Sequence, residues 1–179
     1  MQDSLALHPD FRCEAVTAID VEVVRSGTAL TLAYTITGRI GALKLPSLAS
    51  PDRIDELWKH TCLEAFVRPK GGSAYCEFNL APSSRWAAYR FDDYRAGMRN
   101  AALSLAPAVS VAVSDTRLEV TAHLLLDKLE GFADVPWRLG LTAVIEELSG
   151  AKSYWSLKHP TGRPDFHHSD GFAIEIPAA

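Results

Sequence analysis

An all-β antiparallel sandwich with little helix is the fold class this sequence predicts. Apolar and polar residues alternate with a period of two through most of the chain, the pattern of strands with one buried face. Turn signals, not 10–15-residue helical segments, separate these runs, which favours a sandwich or barrel over a wound α/β sheet. A chain of 179 residues, 47% hydrophobic and 22% charged, suits one globular domain over 1–179 with its core at about 15–176.

The elements follow in order. The first dozen residues and the closing "PAA" are expected to be loosely attached. "AIDVEVVRSGTALTLAYTITG" predicts a hairpin, with strands over 18–25 and 29–37 around a Ser-Gly turn. "LKLPSLASPDRIDELWKH", with two prolines, is a connecting loop with one helical turn. "TCLEAFVRP" and "SAYCEFNLAP" are strands joined across the "KGG" turn. "SSRWAAYRFDDYRAGMRN" is a strand running into an irregular loop, and "VSVAVSDTRLEVTAHLLL" is another hairpin. "LDKLEGF" is a short helical turn; "WRLGLTAVIEEL", "SYWSLKH" and "GFAIEIP" complete about nine or ten strands.

Composition excludes several functions. The net charge is −4 with scattered lysines and arginines, so no nucleic-acid partner is expected. No apolar run approaches the ~20 residues that span a bilayer. The opening "MQDSLALHPDFRCEA" lacks the apolar stretch of a secretory signal, which implies a cytoplasmic protein without membrane contact. Cys13, Cys62 and Cys76 form neither a CxxC pair nor zinc-type spacing, and read as core-filling thiols. There is no GxSxG, no HExxH and no Gly-rich phosphate loop. Catalytic residues, cofactors and a metal centre are accordingly not expected.

The informative residues are carboxylates in apolar strands. Alternate side chains share a face, so Tyr75, Glu77 and Asn79 oppose Cys76, Phe78 and Leu80. Likewise Glu64 lies with Cys62 and Phe66, and Glu146 with Thr142 and Val144. Ser153, Trp155, Leu157 and His159 fall together on one face of the next run. A partly buried carboxylate must be paired, and Arg95 and Arg163 are the expected guanidinium partners. "PDFHHSDGF" belongs to a loop that leaves the strand of Trp155, turns at 161–162 and enters the last strand after Pro164. Its His159, Arg163, Asp165 and His167 would close one end of a cleft over Glu64 and Glu77. A His–Asp or His–Glu hydrogen bond there is preferred to a metal shell. The dyad Glu64/Glu77 also admits a glycosidase-like hydrolase, which needs carboxylates ~5–9.5 Å apart.

"ELWKHTCLEAFVRP", "YCEFNLAPSSRWAAYRFDDYRAGMR", "LGLTAVIEELSGAKSYWSLKHP" and "PDFHHSDGF", in that order, resemble the bacterial DOMON-like domain. That β-sandwich is grouped with the family 9 carbohydrate-binding modules. The resembling branch is sometimes fused to a UDP-N-acetylenolpyruvoylglucosamine reductase. The resemblance implies a non-catalytic domain that binds a carbohydrate or sugar derivative on a concave sheet face, and a separately encoded cell-wall-precursor enzyme as a partner. The residues suited to a sugar are Trp58, Trp86 and Trp155 as stacking plates, with Glu64, Glu77, Asn79, Arg95, Glu146, His159, Arg163, Asp165 and His167 as polar contacts. The alternative it implies is a haem- or metal-binding DOMON-type domain, with Met98 and His167 or His168 as axial ligands.

Overall fold

In β3 (Val16–Ser26) and β4 (Ala29–Gly38) alternate residues are sealed from solvent, Leu30, Leu32 and Ile36 completely. The computed structural model describes residues 1–178 and adds eleven further strands. These are β1 (Gln2–Ser4), β2 (Ala6–Leu7), β5 (Cys62–Pro69), β6 (Tyr75–Leu80), β7 (Trp86–Phe91) and β8 (Arg99–Asn100). The series continues with β9 (Ala108–Val113), β10 (Arg117–Leu125), β11 (Trp137–Glu146), β12 (Lys152–Ser156) and β13 (Ile174–Ile176). Helix is confined, among the described residues, to three 3₁₀ turns at Ile40–Ala42, Leu57–Lys59 and Ser169–Gly171. None is long and apolar enough to cross a membrane.

Two antiparallel sheets result. The smaller runs β1-β3-β4-β10-β9; the larger runs β2-β12-β11-β5-β6-β7-β8, with β13 added to the other end of β11. Their facing sides interdigitate in one core. Ile19, Leu32, Ile36, Leu118 and Val120 from one sheet meet Leu63, Val67, Phe78, Leu139 and Leu141 from the other. Each such side chain contributes about 1.5–3 kcal/mol by leaving water. The expected registers of β5, β6 and β11 hold: Phe78 lies in the core, and Glu77 and Asn79 lie on the other side.

The N-terminus departs from expectation. Residues 1–12 are not loose: β1 pairs with β3, β2 with β12, and Leu5 enters the core. Strands of two or three residues are too short to show alternation. Strand β12 ends at Ser156, so His159 is not on a strand, and the chain after Pro164 coils through residues 165–173 before β13 begins at Ile174. That coil packs closely on the larger sheet. A Cβ on Gly140 of β11 would stand 3.1 Å from the carbonyl oxygen of Gly171, so glycine is what admits the loop.

Candidate functional site

The outward face of the larger sheet is not simply solvated. Phe66, Tyr75, Tyr89, Phe91 and Phe172 form a second apolar cluster there, with Trp58 and Phe166 packed on it. Beside this cluster lies a cleft of about 500 Å³. Its floor comes from β5, β6, β11 and β12 through Glu64, Glu77, Val144 and Tyr154. Trp58 and Lys59 on the Leu57–Lys59 turn form one wall. Arg95 and Met98, after β7, and Pro164, Phe166 and His167 form the others.

Glu64 and Glu77 project from neighbouring strands at diagonal positions, since Glu64 pairs with Asn79 and Phe66 with Glu77. Both are almost sealed, at 3% and 5% exposure. The Glu64 carboxylate has one weak bond, from Thr142 Oγ1 to Oε2 at 3.4 Å, and its Oε1 has no protein partner. Glu77 Oε1 accepts from Asn79 Nδ2 at 2.6 Å, while Oε2 stands 3.7 Å from His167 Nε2. Burial, and then the charge of Glu77, push the Glu64 carboxyl well above the ordinary carboxylate range. Burial raises Glu77 too, against the pull of its Asn79 hydrogen bond.

His167 is oriented by a short relay. The Arg95 amide donates to the Tyr75 hydroxyl at 3.2 Å, so that hydroxyl is free to donate to His167 Nδ1, 2.7 Å away. Nε2 then carries the ring proton and faces Glu77. Phe66 and Phe91 pack against the imidazole, each with its ring centroid at 5.1 Å. Burial, followed by the nearby Arg95 charge, lowers its pKa to about 4. Asp165 ties the loop to the opposite wall. It accepts from Arg95 at 2.8 Å, from Tyr94 at 2.6 Å and from the His167 amide at 3.1 Å. Burial works to raise the Asp165 carboxyl, but these bonds outweigh it and hold the group below its usual range.

Of the residues expected at one site, Trp58, Glu64, Glu77, Arg95 and His167 line this cleft. Asn79 lies fully buried beneath it, holding Glu77. Asp165 braces its wall from an adjoining hollow, which it shares with His159 and Arg163.

Several expectations need correction. Trp155 is not a plate. Its register opposite Ala143 turns it into the inter-sheet core, where its indole donates to Ser153 Oγ at 3.0 Å. Trp86 likewise packs against that core and donates to the Pro51 carbonyl. Glu146 is on the outward face but in another hollow, beyond the Leu57–Lys59 turn, paired with Lys44 at 3.0 Å and His60 at 2.6 Å. Burial alone would raise its carboxyl; those bonds bring it below the usual range. His159 donates through Nε2 to the Ala6 carbonyl, anchoring the N-terminal strand. Arg95 pairs with Asp165, not with the strand glutamates.

Tyr154, Lys152, Phe91 and Phe166 are lining residues that sequence reasoning missed. The register Val144–Tyr154 and Glu146–Lys152 puts the first two on the cleft face. Only the length of the turn between β11 and β12 sets that parity, and the alternation within "SYWSL" is compatible with either face.

The two packed sheets form an antiparallel β-sandwich with a cleft on the outward face of the larger sheet. The fold is similar to that of a protein from Bacteroides uniformis ATCC 8492 assigned as carbohydrate-binding, with a TM-score of 0.71 at 14% identity over 95% of this chain and 83% of that one. It is also similar to a family 9 carbohydrate-binding module from Caldicellulosiruptor kristjanssonii solved with glucose, with a TM-score of 0.52 at 14% identity, covering 89% and 75% of the two chains. No family model and no curated protein matches the sequence.

Proposed function

We propose that this cleft binds a carbohydrate or sugar derivative and that the chain is a non-catalytic, DOMON-like binding domain. The observation that carries the proposal is the pairing of an aromatic wall with carboxylate oxygens that lack a hydrogen-bonding partner. Trp58 and Tyr154 flank carboxylates whose Glu64 Oε1 and Glu77 Oε2 lack hydrogen-bonded protein partners. A sugar presents CH faces for the rings and hydroxyl donors for the carboxylates, and leaving the carboxylates dry and unpaired is costly. The volume, about 500 Å³, is that of a small-ligand site. The likeness to carbohydrate-binding folds supports the reading without supplying the ligand. A cytoplasmic location and a separately encoded cell-wall-precursor enzyme as partner belong to the same proposal.

Calorimetric titration with monosaccharides, oligosaccharides and sugar nucleotides tests it, repeated on Trp58→Ala. Binding by the wild type that is lost in the variant, with its melting temperature kept, is the expected result. No binding across the screen overturns the carbohydrate reading. Turnover of aryl glycosides abolished by Glu64→Gln would replace it with the hydrolase.

A further inference from the structure

The carboxylate pair has no lysine or arginine in direct contact with it, although Arg95 stands near Glu77. Among the described residues no lysine or arginine nitrogen comes within 4.0 Å of Glu64 or Glu77; the histidine at 3.7 Å from Glu77 is His167. The cations around the cleft are engaged elsewhere. Arg95 holds Asp165 at 2.8 Å, Lys59 holds Glu56 at 2.7 Å, and Lys152 donates to the Lys59 carbonyl at 2.6 Å. Lys44 and His60 serve Glu146 in the neighbouring hollow. Buried carboxylates are ordinarily paired, because an unpaired one forfeits its hydration. Here two lie diagonally on adjacent strands, and one oxygen, Glu64 Oε1, is buried, unpartnered and part of a residue that lines the opening. A metal ion would need more ligands than this, and among the described residues no group of three or more histidine, cysteine or acidic side chains is placed to hold one.

We propose that the ligand itself supplies the missing charge: the cleft selects an amino sugar with a free ammonium group, seated between Glu64 Oε1 and Glu77 Oε2. This rests on the carbohydrate reading and specifies its substrate class. An ammonium offers three donors and no acceptor, which matches two carboxylate oxygens better than a hydroxyl does. The pyranose CH face then lies toward Trp58 and Tyr154.

Without ligand, one proton held by the pair relieves the repulsion; the ammonium displaces that proton on binding. Four other titratable groups around the pair are held outside the range from pH 5 to 8. The thiol of Cys62, beside Glu64, and the hydroxyl of Tyr34, which donates to the Glu64 carbonyl, are pushed well up by burial. Burial and a hydrogen bond to Asp55 push the Tyr89 hydroxyl well up, and burial lowers His167 to about 4. Asn79 and Thr142 carry no charge. Arg95, near Glu77, keeps its charge throughout.

The test is calorimetric titration of the intact protein with glucose, N-acetylglucosamine and glucosamine, in buffers of differing ionisation heat. Glucosamine should bind at least about tenfold more tightly than either neutral sugar at pH 7. Its binding should release protons and strengthen as pH rises from 5 toward 7, while the neutral sugars release none. Glu64→Gln and, independently, Glu77→Gln should each bring the three affinities close together. Equal wild-type affinities without proton release would overturn the amine inference and leave the carbohydrate reading standing. A failure of all three sugars, together with a failed oligosaccharide screen, would overturn both.

Discussion

Replacing Glu64 by glutamine should make the protein more stable, and more so as pH rises. The buried carboxyl is raised well above the ordinary 4.5, first by burial and then by the charge of Glu77. A carboxyl raised on folding binds more protons in the native state than in the unfolded chain. Its stabilising contribution is complete below about pH 4.5 and drains away as pH climbs through the native pKa. Each unit of upward shift removes about 1.4 kcal/mol by the time titration is complete. Glutamine keeps the shape and the Thr142 contact and cannot ionise. At pH 8 the variant should therefore be more stable than the wild type, and each kcal/mol of that gap raises the melting temperature by roughly 2–4 °C for a domain of this size. At pH 4.5 the two should nearly coincide. Urea unfolding at pH 4.5, 6 and 8 measures the gap directly. If Glu64 were instead a member of a satisfied structural network, its substitution would cost about 1–3 kcal/mol at every pH. A destabilised variant with a pH-independent difference would refute the argument that this carboxylate is held at the expense of stability.

Three further outcomes follow from the placements. Trp155→Ala should cost about 3–5 kcal/mol because it opens a cavity in the inter-sheet core, whereas Trp58→Ala should change the unfolding midpoint little; paired denaturant melts decide this. His167, whose pKa of about 4 lies below the ordinary 6.5, should stay neutral at pH 6, and acidification from 6.5 through 4 should remove stability as its ring is forced to protonate. A ring titrating near 6.5 by NMR would contradict its placement between Phe66, Phe91 and Tyr75. The purified protein should be colourless, because both His167 nitrogens face protein groups, Tyr75 and Glu77; a Soret band would promote the haem alternative.

Much of the fold was legible in the chain, and the reason is local. In β4, β6 and β10 each residue's parity declares its face, so Phe78 and Glu77 could be placed without knowing their neighbours. Short strands such as Gln2–Ser4 carry no such signal, and pairing with β3 is what orders them. The site was only partly legible. Glu64, Glu77 and Asn79 were recognisable as polar residues in apolar strands. Which of them share a cleft depends on non-local matters: where the Leu57–Lys59 turn crosses the sheet, and how the 157–173 loop folds back. Glu146 satisfies the same parity as Thr142 and Val144 yet lies across that turn, held by Lys44 and His60. Trp155 failed because a turn of unknown length precedes it. Arg95 failed as a partner of the strand glutamates because Asp165, far off in sequence, pairs with it, and Arg163 lies in the adjoining hollow.

Chemical-shift mapping with a bound sugar tests the central claim most directly, using the indole and amide signals of the intact protein titrated with glucosamine. The account predicts shifts at the Trp58 indole and at the amides around Glu77, Arg95 and His167, with Trp155 and the outward face of the β3-β4-β10-β9 sheet unmoved. Shifts confined to that other sheet, or none at saturating sugar, would contradict it.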